Sequence, residues 1–142
     1  MKGRIFLMAN QLYGKGREKF LRGELSWNSD NIKFVLVDVA DYTVSIDTHE
    51  FLSDIPSAAR VATSGNASGK STSLGVADLA DFSFLLVSGD PSEAIVAYKD
   101  TGTAATSPLI AYVDTATGLP VTPNGGDVNI IIDNGPNKFF KL

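Results

Sequence analysis

Residues 59–88 read ARVATSGNASGKSTSLGVADLADFSFLLVS, and two folds compete for them. Gly69-Lys70-Ser71-Thr72 ends like a phosphate-binding loop, which sits between a buried parallel strand and a helix. The same letters also read as a strand, a turn and further strands. Spacing decides between them. The phosphate loop needs a glycine at position 64, where this chain has Ser64; Gly65 leaves the loop one residue short. Upstream, Arg60-Val61-Ala62-Thr63 is short and half polar. Downstream, Gly75 and Phe82–Val87 argue against a helix of any length. Asp38 closes an apolar run and imitates a magnesium-holding aspartate, but it precedes the loop instead of following it. The stretch therefore reads as β structure: a strand at 59–64, a turn at 65–69, a weak strand at Ser71–Val76 and a strong one at Phe82–Val87. Lys70 is expected on an exposed hairpin tip.

The same grammar extends in both directions. IKFVLVDVA (32–40) is a dense β-branched and aromatic run, long enough for a strand buried on both faces. EAIVAYKD and PLIAYVDT follow, joined by the small polar linker TGTAATS. A long loop, TGLPVTPNGGD (117–127), precedes VNIIID, the turn NGPN and a short final strand, KFFKL. LYGKGREKFLRGEL (12–25) is the one helix candidate, with Tyr13, Phe20, Leu21 and Leu25 near one face. Gly14 and Gly16 weaken its first turn, and Gly23 is a plausible stop. About eight short strands at roughly ten-residue spacing predict an all-β fold, a jelly-roll-like β-sandwich with one short N-terminal helix. The expected organisation is an extension or arm at residues 1–9 followed by a single sandwich domain at 10–142.

At 142 residues the chain suits one domain with its own core. Net charge is −4, which argues against nucleic acid as the main partner. No cysteine is present, so disulfides, thiolate nucleophiles and cysteine zinc sites are excluded. MKGRIFLMA imitates a signal peptide, but its apolar run is shorter than the ~7–15 residues such a segment needs. No stretch approaches the ~20 apolar residues of a membrane span. The run reads instead either as a frayed terminus or as a sticky arm that packs on a neighbouring subunit.

Candidate chemistry is thin. His49 is the only histidine, and no second one follows His49-Glu50 at zinc-protease spacing. With Asp47, Glu50 and Asp54 close by, it reads as a hydrogen-bonded structural residue. Asp38, Asp41, Asp47 and Asp54 lack the alternating spacing of a compact calcium loop. No acid, base and oxyanion set assembles, so neither enzymatic activity nor a cofactor is expected.

Taken in order, NQLYGKGREKFLRGELSW (10–27), IKFVLVDVADYTV (32–44), THEFLSDIP (48–56), AYKDTGTAATSPLIAYVDTATGLPVTPNGGD (97–127) and DNGPNKFF (133–140) resemble a family of small structural proteins encoded beside the capsid genes of tailed bacteriophages. The resemblance spans Met8 to Leu142 and leaves residues 1–7 unmatched. It implies a virion component on the outer capsid surface, a cement or decoration protein bound to the major capsid protein and to itself as a homodimer or homotrimer. A tail-tube or head–tail joining protein and a glycan-binding head-fibre module are the alternatives. Three contact regions are expected from exposure and chemistry: the arm Ile5, Phe6, Leu7 and Met8; the helix surface with Arg17, Lys19 and Arg22; and the loop carrying Leu119, Pro120, Pro123 and Asn124.

Overall fold

The computed structural model describes residues 3–142. Its strands are β1 (Gly3–Leu7), β2 (Gln11–Leu12), β3 (Ile32–Val37), β4 (Arg60–Thr63), β5 (Ser71–Ser73), β6 (Val76–Asp78), β7 (Phe82–Phe84), β8 (Ala94–Lys99), β9 (Leu109–Val113), β10 (Val128–Ile132) and β11 (Phe140–Lys141). The helix α1 (Gly14–Leu21) lies between β2 and β3. The protein is mostly β, with one helix and several sheets.

Side chains alternate across a strand, so a strand without a polar face must be covered on both sides. β3 behaves this way. Ile32, Phe34 and Leu36 enter one apolar cluster, and Val35 and Val37 enter another. β8 divides likewise, with Ile95 and Ala97 on one side and Ala94, Val96 and Tyr98 on the other. These strands lie at the centre of a five-stranded sheet of order β2-β9-β8-β3-β4, antiparallel throughout.

One face of that sheet packs on two three-stranded sheets, β1-β10-β7 and β11-β6-β5. Phe34 stacks on Phe82 at 4.5 Å between ring centroids and meets Phe139 edge-on at 5.4 Å. The other face is covered by Tyr13 and by the segment from Asp38 to Ala59, which contains two short 3₁₀ turns, Leu52–Asp54 and Ser57–Ala59. The all-β expectation is met by one five-stranded and two three-stranded sheets.

Five expectations need correction. The arm is a strand: β1 pairs in parallel with β10, from Gly3 opposite Val128 to Leu7 opposite Ile132, and Ile5 and Leu7 are fully buried. Of the expected extension, Met1 and Lys2 lie outside the described residues. The helix begins at Gly14 and ends at Leu21. Gly16 is tolerated inside it because a Cβ there would stand 2.5 Å from the Leu109 carbonyl oxygen. Gly23, at φ +76°, terminates it as expected.

The weak strand at 71–76 is a hairpin, β5 and β6, turning at Leu74 (φ +52°) and Gly75 (φ +80°). Two successive left-handed residues make the turn that best fits the twist of paired strands. Lys70 therefore precedes the hairpin instead of crowning it. Finally, the strong strand at 82–87 stops at Phe84, because Leu86 turns left-handed at φ +49°.

Candidate interaction surface

Leu74 is 94% exposed and Leu86 is 76% exposed. Both carry positive φ, a conformation that costs a branched L-residue about 1–2 kcal/mol and that glycine or asparagine adopts more readily. Each is fixed in place. Leu142 N–H donates to the Gly75 carbonyl at 2.9 Å, closing the C-terminal residue against the hairpin. Leu86 N–H donates to Asp127 Oδ1 at 2.9 Å, and Val87 exchanges backbone hydrogen bonds with Gly126 and Gly125. The exposed pair Leu85–Leu86 is thereby tied to the proline-containing loop predicted for recognition.

The expected contact residues separate into groups. Ile5 and Leu7 belong to the core, while Phe6 and Met8 are exposed. Arg17 is exposed, and Arg22 pairs with Glu18 at 3.1 Å one turn away. Lys19 is buried. Its ammonium lies 2.8 Å from Glu50, 3.5 Å from Glu24 and 5.2 Å from the centre of the Phe51 ring. Hydrogen bonding to Glu50 raises its pKa against an opposing effect of burial. Lys19 thus clamps the helix to the 49–51 segment and does not face a partner. Leu119 packs partly into the core. Pro120 and Asn124 are exposed and Pro123 is half-buried.

Sequence reasoning missed Leu21, Leu74, Leu85 and Leu86, all exposed. A signal for Leu74 existed: a lone leucine directly before glycine in a run of serines and threonines marks a turn better than a strand. No such signal marks Leu86, whose neighbours read as strand.

Lys70 and His49 are engaged locally. Lys70 Nζ donates to the backbone oxygen of Asp30, and Ser71–Ser73 form a strand where a phosphate loop requires a helix. Ser45 N–H donates to His49 Nδ1 at 3.2 Å, so that nitrogen is an acceptor. Tyr42 O–H donates to the same nitrogen at 2.8 Å and meets Tyr13 Oη at 3.0 Å. Burial drives the Tyr13 phenol up strongly and raises Tyr42, so both stay neutral donors. His49 is accordingly held as a structural residue.

Asp38 and Asp41 gather with Asp90, their carboxylate oxygens within 4.8 Å of one another. Asp47 and Asp54 are not part of this group. Asp54 instead caps the N–H groups of Glu50 and Phe51 at 2.7 and 3.0 Å. An apolar crevice of about 190 Å³ runs between Phe20, Trp27, Val76, Phe140 and Leu142. No helix among the described residues is long and apolar enough to cross a membrane.

Neither the protein-family models nor the curated proteins include a match to this chain.

Proposed function

We propose that this chain is a non-enzymatic structural protein of a tailed-phage virion, a cement that binds the assembled capsid shell from outside and stabilises it. One observation carries the docking part of the reading. Leu74 and Leu86 are large apolar side chains on left-handed backbone and left mostly exposed. Within the single chain each costs strain and returns little burial. A partner surface that covers them supplies the missing burial. The phage assignment rests on the ordered sequence resemblance.

The reading includes a jelly-roll-like sandwich, supported by the apolar layer between the five-stranded sheet and the two smaller ones. It also includes self-association as a dimer or trimer on the lattice of the major capsid protein. A cement acts by mass action: it binds the assembled state better than the loose subunit and so stabilises it. A specific contact of standard size hides ~800 Å² per partner, more than two leucines supply, so the proposed contact extends from Leu86 to the 119–127 loop, to which it is tied through Asp127.

The test is co-sedimentation with expanded, empty capsids and, separately, with unassembled capsid protein. Binding to shells alone is expected, and replacing Leu74 and Leu86 together by asparagine should weaken it by at least about tenfold. Equal binding to loose subunits, or no binding to shells, overturns the cement reading. Stacked rings of the protein alone in electron micrographs would favour a tail or joining role.

A further inference from the structure

The chain contains two Asn-Gly steps, Asn124-Gly125 and Asn134-Gly135. Asparagine before glycine is the sequence most open to attack by its own backbone, because the glycine amide is unhindered. The fold treats the two steps differently.

At the first, Gly125 N–H donates to the Val87 carbonyl at 2.7 Å, and Asn124 Oδ1 accepts from Gly126 N–H at 3.0 Å. A carbonyl cannot take the proton that the attacking nitrogen must lose. At the second, Gly135 N–H donates to Asp133 Oδ2 at 2.9 Å. That is within the reach of a general base. The approach depends on glycine, since a Cβ at 135 would lie 2.6 Å from the same oxygen. Asp133 is itself anchored, its N–H donating to the Leu7 carbonyl at 3.0 Å where β10 leaves β1. Asn134 is exposed.

We infer that Asn134 is a site of spontaneous deamidation, driven by Asp133 acting on the Gly135 amide, and that Asn124 is protected. The Gly135 nitrogen attacks Cγ of Asn134 while its proton passes to Asp133. The tetrahedral carbon expels the side-chain nitrogen, which takes that proton and leaves as ammonia. Water then opens the succinimide at either carbonyl, giving aspartate or isoaspartate. One water is consumed and one ammonia released, with no change of oxidation state. The product adds a carboxylate beside Asp133. In the isoaspartate form it also lengthens the backbone just ahead of Phe139 and Phe140, both buried in the apolar layer.

The full chain, aged folded at neutral pH, is to be mapped by peptide mass spectrometry, with a parallel sample unfolded in urea. In the folded chain Asn134 should convert at least about tenfold faster than Asn124, and in urea the two rates should converge. Asp133→Ser, which keeps an oxygen acceptor but no base, should slow Asn134 alone. Equal or faster conversion of Asn124 in the folded chain overturns the inference. So does an unchanged Asn134 rate in Asp133→Ser, provided near-ultraviolet circular dichroism shows it folded. If that variant does not fold, the wild-type ratio in buffer and in urea decides.

Discussion

The two faces of the five-stranded sheet are held by different physics. Toward β1-β10-β7 and β11-β6-β5 the contacts are dry: Phe34, Phe82, Phe84 and Phe139 with aliphatic neighbours. Toward the 38–59 segment, apolar packing is interleaved with polar fastening. Tyr13, Tyr42 and His49 form a hydrogen-bonded chain, Lys19 bridges to Glu50, and Asp54 caps two backbone amides. Irregular backbone can cover a sheet only if its own N–H and C=O groups find partners. The cover does so at Leu52 N–H to Ser107 and Leu109 N–H to Glu50. A regular sheet satisfies those groups in its ladder and needs no side-chain help. The dry face should therefore fail by loss of volume, and the fastened face by loss of charge.

The largest effect is expected on the dry face. Phe34 is fully buried and touches the rings of Phe82 in β7 and of Phe139, the residue before β11. Phe34→Ala should cost about 3–5 kcal/mol through lost burial and a residual cavity, read as a lower urea midpoint with an unchanged slope. A cost under about 1 kcal/mol would mean that the two layers are loosely packed and that the contrast between the faces is false.

Charge enters next, and on the other face. For Asp54, burial works to raise the carboxyl, but the Glu50 and Phe51 amides outweigh it and its pKa is lowered. A carboxylate depressed in the folded state contributes stability above its unfolded pKa, about 3.9, and that stability is lost as pH falls through the lower folded value. Asp54 is exposed, so the effect is modest. Acidification below about pH 4 should speed hydrogen exchange in 38–59 before β1 and β10 respond. Asp54→Asn should remove part of that pH dependence. Simultaneous loosening of both faces would show that they open as one unit.

The same division explains what could be read from sequence. IKFVLV, AIVAYK and VNIII are legible because β-branched and aromatic residues in short runs have few other homes. The cover at 38–59 has no period, since its order comes from tertiary hydrogen bonds that no local pattern encodes. IFLM (5–8) is legible as an apolar run, but its partner β10 is distant in sequence, so nothing local distinguishes a core strand from a loose arm. Of the expected contact residues, Phe6, Met8, Arg17, Arg22, Pro120 and Asn124 are exposed. Lys19 was misplaced because its charge pattern matches a solvated helix face, while its acidic partner Glu50 lies on another segment.

Leu74 gives the smallest expected effect on stability. Leu74→Asn removes a side chain that packs on nothing in the chain and replaces it with one that tolerates φ +52°. Stability should stay level or rise by up to about 1 kcal/mol, measured by thermal melting. A fall of more than about 1 kcal/mol would mean that the hairpin tip contributes to folding, and the case for Leu74 as a docking residue would lose its physical basis. A rise has the opposite meaning. It would support the proposal that leucine is kept there for a partner, and Leu86 at φ +49° repeats the pattern beside the 119–127 loop. On the proposed reading, stability and docking fall in different places: the sheet buried on both sides carries the first, and the turns at Leu74 and Leu86 carry the second.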